Sequence, residues 1–130
     1  MIRMEHIAIV VSDMDEALAT YRDMFGFEVT GTMDMPEAKV ATISCGDISL
    51  ELFQPVSDIG QFADFLNETG GGLHHIAFAT DDIEGDFARM KAQGRKVQSE
   101  EPISIPSIGK IGFVAAGEED VLIELMQRNK

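Results

Sequence analysis

Four polar residues stand inside apolar segments where a core residue would be expected. His6 opens Glu5-His6-Ile7-Ala8-Ile9-Val10-Val11, and His75 opens His75-Ile76-Ala77-Phe78. Glu51 lies between Leu50 and Leu52, and Glu124 between Ile123 and Leu125. In a β-strand successive side chains point to opposite faces. Each Glu therefore points away from its aliphatic neighbours, and each His away from the isoleucine that follows it. A lone His or Glu in a strand is ordinarily solvent-facing; four at matched points of one chain suggest a shared task. Two imidazoles and two carboxylates suit Co²⁺, Mn²⁺, Ni²⁺, Fe²⁺ or Zn²⁺. The set contains no thiolate, which argues against a closed structural zinc site. Four protein ligands on a six-coordinate ion leave two positions for water or two substrate oxygens. His74 points the other way along its strand from His75, so we assign it a packing role.

The elements that must position these residues repeat. His6-Ile7-Ala8 matches His75-Ile76-Ala77 at an offset of 69, and Gly26-Phe27-Glu28-Val29 matches Gly94-Arg95-Lys96-Val97 at an offset of 68. Ile48-Ser49-Leu50-Glu51-Leu52-Phe53-Gln54 matches Val121-Leu122-Ile123-Glu124-Leu125-Met126-Gln127 at an offset of 73. Repeats of this kind mark a duplicated structural unit. In the first copy, residues 4–11 read as a strand and Ser12-Asp13 as a helix start. Met14, Ala17, Leu18, Tyr21 and Phe25 then form a helical apolar stripe ended by Gly26. Strands are expected over Phe27–Met33, Lys39–Ser44 and Ile48–Gln54, closed by Pro55. Ser57-Asp58 is expected to cap a short connecting helix with Ile59, Phe62 and Leu66 on its apolar side. Gly70-Gly71-Gly72 follows. It lacks both a preceding strand and a following Lys-Ser/Thr, so we read it as a hinge rather than a phosphate loop.

The second copy is expected to place strands at Leu73–Thr80, Lys96–Ser99, Lys110–Ala115 and Val121–Gln127. A helix capped by Asp81-Asp82 carries Ile83, Phe87 and Met90. Glu101–Gly109, with Pro102 and Pro106, is expected to be loop, and Ala116–Glu119 a turn. The fold class is α+β: two tandem βαβββ modules, about 1–55 and 73–130 with a connection at 56–72, forming one domain over 1–130. Pseudo-twofold pairing into a half-open, eight-stranded barrel-like sheet would bring both His–Glu pairs to one metal.

The chain has 130 residues, 10 basic against 23 acidic, for a net charge of −13. That excess repels nucleic acid and anionic membranes, and an anionic substrate would need a cation or a local basic patch. Lys91, Arg95, Lys96 and Lys110 read as solvated surface. No apolar run approaches the roughly 20 residues of a membrane span, and the N-terminus reads directly into a strand without a signal peptide. Cys45 has no cysteine to pair with, in keeping with a cytoplasmic location. Asn67-Glu68-Thr69 matches a glycosylation sequon but carries no weight without a secretion signal.

This arrangement resembles the vicinal oxygen chelate superfamily, which includes glyoxalase I, extradiol dioxygenases, fosfomycin-resistance enzymes and methylmalonyl-CoA epimerase. The epimerase branch is the most similar. The likeness rests on His6-Ile7-Ala8-Ile9-Val10-Val11, Leu50-Glu51-Leu52-Phe53-Gln54-Pro55, Phe65-Leu66 through the glycines to Leu73-His74-His75-Ile76-Ala77-Phe78, Asp81-Asp82-Ile83, and Val121-Leu122-Ile123-Glu124-Leu125. The resemblance implies metal ligands at His6, Glu51, His75 and Glu124. It further implies a divalent-metal-dependent epimerase that moves the α-proton of an acyl-CoA thioester, with Glu124 as base and Glu51 as the second carboxylate. It allows a homodimer. The chain departs from the branch at Phe113-Val114-Ala115-Ala116, where the epimerases usually carry Phe-Leu-His-Pro, and at Ser104–Lys110, often glycine-rich in the family. Lys39-Val40-Ala41-Thr42-Ile43 offers no carboxylate where some members have a further base. The alternatives are a glyoxalase-I-type lactoylglutathione lyase and a metal-free binder of small molecules such as antibiotics. An extradiol dioxygenase would leave one of the two acids spare.

Overall fold

In the computed structural model, residues 2–94, 97, 99, 101–116 and 121–129 are described. The chain divides into two compact units, His6–His74 and a second that joins Met1–Glu5 to His75–Lys130. The division falls between the two adjacent histidines, and the connecting helix belongs with the first unit.

The first unit contains β1 (Arg3–Val10) from His6 onward, α1 (Met14–Leu18), β2 (Glu28–Asp34), β3 (Ala38–Ser44), β4 (Ser49–Pro55) and α2 (Gln61–Thr69). Its strands run in the order β2-β3-β4-β1. β4 is parallel to β1 and antiparallel to β3. Asp13 caps α1, its carboxylate accepting the N–H groups of Asp15 and Glu16. One face of the sheet packs Ile43, Leu52 and Ala41 against Met14, Ala17, Leu18 and Tyr21. On the opposite face Ala8, Val10, Val40 and Phe53 are covered by Phe62, Phe65 and Leu66 of α2.

Two expectations for this unit fail. The first helix is not α-helical throughout: from Ala19 to Met24 it widens into a π-helix. The wider turn retards the angular advance per residue, so Phe25 swings off the buried stripe. Phe25 is 64% exposed and Met24 77%. The connecting helix starts at Gln61, not at Ser57-Asp58, with Gly60 before it. The Ser57 hydroxyl accepts the Ile59 N–H, a local turn that competes with helix and leaves Ile59 78% exposed.

The second unit contains β5 (Gly72–Ala79) from His75 onward, α3 (Ile83–Ala92), β6 (Ile103–Ile105), β7 (Gly109–Ala116) and β8 (Val121–Arg128), with strand order β5-β8-β7-β6. β8 is parallel to β5 and antiparallel to β7. Ile83, Phe87 and Met90 of α3 pack on Phe78, Val114, Ile123 and Leu125. Gly112 admits the Phe87 ring: a Cβ at 112 would stand 2.3 Å from the Phe87 Cζ. The other face packs Ala77, Ala79 and Met126 with Ile108 and Ile111.

Here one strand is displaced from its expected place. Within Lys96–Ser99, Lys96 and Gln98 lie outside the described residues, and Val97 makes an isolated bridge to Val114. The strand falls instead at Ile103–Ile105, inside the expected loop, and pairs antiparallel with β7. Pro102 and Pro106 bracket it rather than interrupt it, and an edge position tolerates flanking proline. β7 continues through Ala116; the rest of the expected turn, 117–119, lies outside the described residues.

The repeat reappears in the hydrogen bonds. Gln54 Oε1 accepts the Met14 N–H at 2.6 Å, and Gln127 Oε1 accepts the Ile83 N–H at 2.9 Å. Each glutamine sits three residues beyond the glutamate of the last strand and satisfies an otherwise orphaned N–H at the start of a helix. Gln127→Leu should cost about 1–2 kcal/mol in urea denaturation. Gln127→Glu, which keeps an acceptor where the helix dipole favours negative charge, should cost much less. Equal losses would rule out the capping role.

Asp86 provides a pH-dependent test. Burial raises its carboxyl, but the Thr80 hydroxyl and the Arg89 guanidinium donate to it, and the balance leaves its pKa below the ordinary value. It therefore holds fewer protons folded than unfolded. Its contribution is complete above the unfolded pKa, about 4, and fades as pH falls through the folded one. Asp86→Asn should flatten the acid limb of a stability–pH curve below about pH 4; an unchanged limb would refute the pairing.

Candidate metal centre

β1 and β4 build the first His–Glu pair. Their parallel register sets Ala8 beside Glu51 and Val10 beside Phe53. His6 shares a face with Ala8 and Val10, so it lies on the Glu51 side. Leu50 and Leu52 go to the α1 face, as strand alternation requires. His6 is 3% exposed. Its Nδ1 stands 3.0 Å from Glu51 Oε2, and the Glu51 side chain is 18% exposed. Across β3, Thr42 is the residue opposite Glu51.

β5 and β8 build the second pair in the same way, with Ala77 beside Glu124. His75 is 4% exposed and Glu124 7%. Here Nε2 of His75 and Oε2 of Glu124 are 3.7 Å apart. Phe113 lies opposite Glu124 on β7. Its ring meets the His75 imidazole edge-on, at 5.9 Å between centroids and 83° between planes.

The donor chemistry of each pair fits a divalent cation. Metal–N and metal–O bonds of about 2.0–2.2 Å set neighbouring ligand atoms roughly 3.0 Å apart at a right angle and roughly 3.4 Å apart at a tetrahedral angle. The first pair has the right-angle spacing; the second is slightly wider. A carboxylate as buried as Glu124 is costly unless its charge is balanced.

His74 points away from His75. It packs on α2, 5.1 Å from the Phe62 ring and 4.9 Å from the Phe65 ring. Burial lowers its pKa, which favours the neutral ring. This matches the packing role expected for it. Lys110, read as solvated surface, is exposed and pairs there with Glu84; Lys91 lies on the exposed side of α3, and Arg95 and Lys96 are outside the described residues. Cys45 is half-buried with a free thiol. Phe113 is the residue that sequence reasoning missed as a neighbour of the site. Phe113 keeps the phenylalanine of the epimerase Phe-Leu-His-Pro segment, but only the β7–β8 register sets it beside Glu124.

Residues 5–108 match the family described as the Glyoxalase/Bleomycin resistance protein/Dioxygenase superfamily. The chain belongs to that superfamily. It is 33% identical over 111 residues to the ethylmalonyl-CoA/methylmalonyl-CoA epimerase of Cereibacter sphaeroides, covering 83% of each chain. It is 32% identical to the human mitochondrial methylmalonyl-CoA epimerase, over 96% of this chain and 73% of that one. A solved methylmalonyl-CoA epimerase in complex with methylmalonyl-CoA and NH4+ superposes with a TM-score of 0.80 at 31% identity, covering 97% of this chain and 94% of the other. The α+β class and the βαβββ units agree with that fold. Among the described residues no helix is long and apolar enough to cross a membrane.

The donor set predicts cation binding. Calorimetric titration of chelator-stripped protein with Co²⁺ or Mn²⁺ should show a saturable site. Glu51→Ala and Glu124→Ala should each weaken it by at least about tenfold, and His74→Asn should not. Wild-type affinity in both glutamate variants would remove these carboxylates from the centre.

Proposed function

We propose that this chain is a divalent-metal-dependent epimerase acting on an acyl-CoA thioester, with methylmalonyl-CoA as the best candidate. The observation that carries this is the duplicated, largely buried His–Glu pair in a chain whose relatives include methylmalonyl-CoA epimerases 32–33% identical over most of its length. The proposed metal ligands are His6, Glu51, His75 and Glu124, and residues 1–130 act as one domain.

The reaction is proton transfer at the carbon next to the thioester carbonyl. That proton is too weakly acidic for a free carboxylate to remove quickly. A divalent cation, when bound, stabilises the negative charge that develops on the substrate oxygens. The C–H bond breaks as Glu124 Oε takes the proton, leaving an enolate and a neutral carboxylic acid. Delivery of a proton to the opposite face of the same carbon re-forms the C–H bond with inverted configuration. Glu51 is the other carboxylate of the constellation and is assigned that return, directly or by relaying a proton from water; it gives up one proton as Glu124 gains one, so a single proton is shared across the two carboxylates before and after turnover and exchange with solvent resets them. His6 and His75 hold the donor geometry. The cation also offsets the repulsion between a chain of net charge −13 and an anionic substrate. The free thiol of Cys45 suits the reducing cytoplasm, where we place the protein, and a homodimer is its proposed assembly.

Incubation with methylmalonyl-CoA and a panel of divalent metals in D₂O should introduce deuterium at the α-carbon. Glu124→Gln should slow this by about 10²–10⁴-fold. No exchange with any metal would sink the epimerase. Turnover of a thiol hemithioacetal of a 2-oxoaldehyde instead would assign the same donor set to a glyoxalase-I-type lyase. A wild-type protein that binds no metal would favour the metal-free binder.

A further inference from the structure

We propose that Phe113 is a specificity-determining residue: its ring bounds the space left for the alkyl substituent on the α-carbon of the acyl-CoA thioester and so sets the longest chain the protein accepts. This rests on the epimerase reading and on Glu124 as its base.

The base fixes where the substituent must lie. A carboxylate that takes the α-proton has to bring an oxygen to about 3–3.5 Å from the reacting group. The groups attached to the α-carbon then reach the side chains that flank Glu124. Phe113 stands directly opposite Glu124 in the antiparallel β7–β8 ladder. Side chains so paired share a face, with Cβ atoms about 4.5–5.5 Å apart. Val114 packs in the α3 core and Gly112 lies against the Phe87 ring, so alternation sends Phe113 to the His75 and Glu124 side. Its ring meets the His75 imidazole there, 5.9 Å away between centroids. Phe113 is half-buried, so part of its surface stays accessible.

The neighbours of Phe113 continue the same chemistry. Ile111, two residues earlier, opposes Met126 and packs on Met126, Ala77 and Ala79. An apolar strip therefore runs along β7 beside the strand that carries the base. Such a surface favours an alkyl group and penalises a carboxylate stripped of water. The matched neighbour of Glu51 is Thr42, which carries a hydroxyl. Of the two glutamates, Glu124 is the one whose cross-strand neighbour suits an alkyl chain. The ring has no room to retreat through the strand, because the Phe87 ring fills the other side at Gly112, and close-packed interiors yield little.

The test measures kcat/KM for deuterium incorporation from D₂O into malonyl-CoA thioesters bearing methyl, ethyl, propyl and butyl groups on the α-carbon. One methylene too many in an apolar pocket costs about 10–200-fold. The wild-type series should therefore break by at least about tenfold between two neighbouring members. Phe113→Leu and Phe113→Ala should move the break to longer chains, raising the first rejected member relative to methyl by about tenfold or more. Ratios within one variant cancel any uniform loss of metal or folded protein, and Phe113→Leu decides the matter if Phe113→Ala does not fold. An unchanged ratio in the folded variants would overturn the proposal, as would a wild-type series with no break. A wild-type protein that exchanges none of the four thioesters with any divalent metal would defeat the epimerase reading itself.

Discussion

A carboxylate in the interior of an apolar strand has to be balanced by its surroundings. Glu124 is 7% exposed between Ile123 and Leu125, and in that setting an isolated negative charge would be strongly disfavoured. The imidazole of His75 on the adjacent parallel strand answers part of that requirement. The same requirement recurs at Glu51 and His6. Much of each unit serves it. The parallel registers bring each glutamate to the histidine's face, and the aliphatic residues on either side of the glutamate are drawn to the face covered by α1 or α3 by burial of their own surface.

Each helix is tied to the strand that carries the glutamate. Gln54 accepts from the first residue of α1 and Gln127 from the first residue of α3. A helix start left without an acceptor is costly, so these bonds couple helix placement to the end of the glutamate-bearing strand. The two units then diverge. The first covers its His–Glu face with α2, whose aromatic residues also enclose His74. The second uses Ile108 and Ile111 and sets Phe113 against His75. Duplication supplied matched frames, and the side chains filling them have since taken different tasks.

Much of this was legible in the chain itself. His6, Glu51, His75 and Glu124 stand out because a two-residue period leaves a polar group no choice of face once its aliphatic neighbours are buried. The matched segments at both ends of each unit disclosed the βαβββ plan, because identical local patterns bury identical surfaces. The separation of His74 from His75 followed from the same alternation. Where local rules compete, the chain was ambiguous. The edge strand at Ile103–Ile105 is too short for periodicity to register, and its bracketing prolines imitate a loop. The π-helical widening from Ala19 to Met24 follows no residue rule, so the phase that exposes Phe25 was invisible.

By itself, then, the sequence determined which residues are out of place in their strands, which faces they take and that the plan is duplicated. The first two depend on neighbours one to four positions away, and the duplication on likeness between segments at offsets of 68, 69 and 73. The tertiary structure decided the separations within each pair, 3.0 and 3.7 Å, and the choice of Thr42 and Phe113 as cross-strand neighbours of the two glutamates. Strand register brings together residues far apart in the chain, and no local period specifies it. The physical difference between the two His–Glu pairs is therefore a property of the fold.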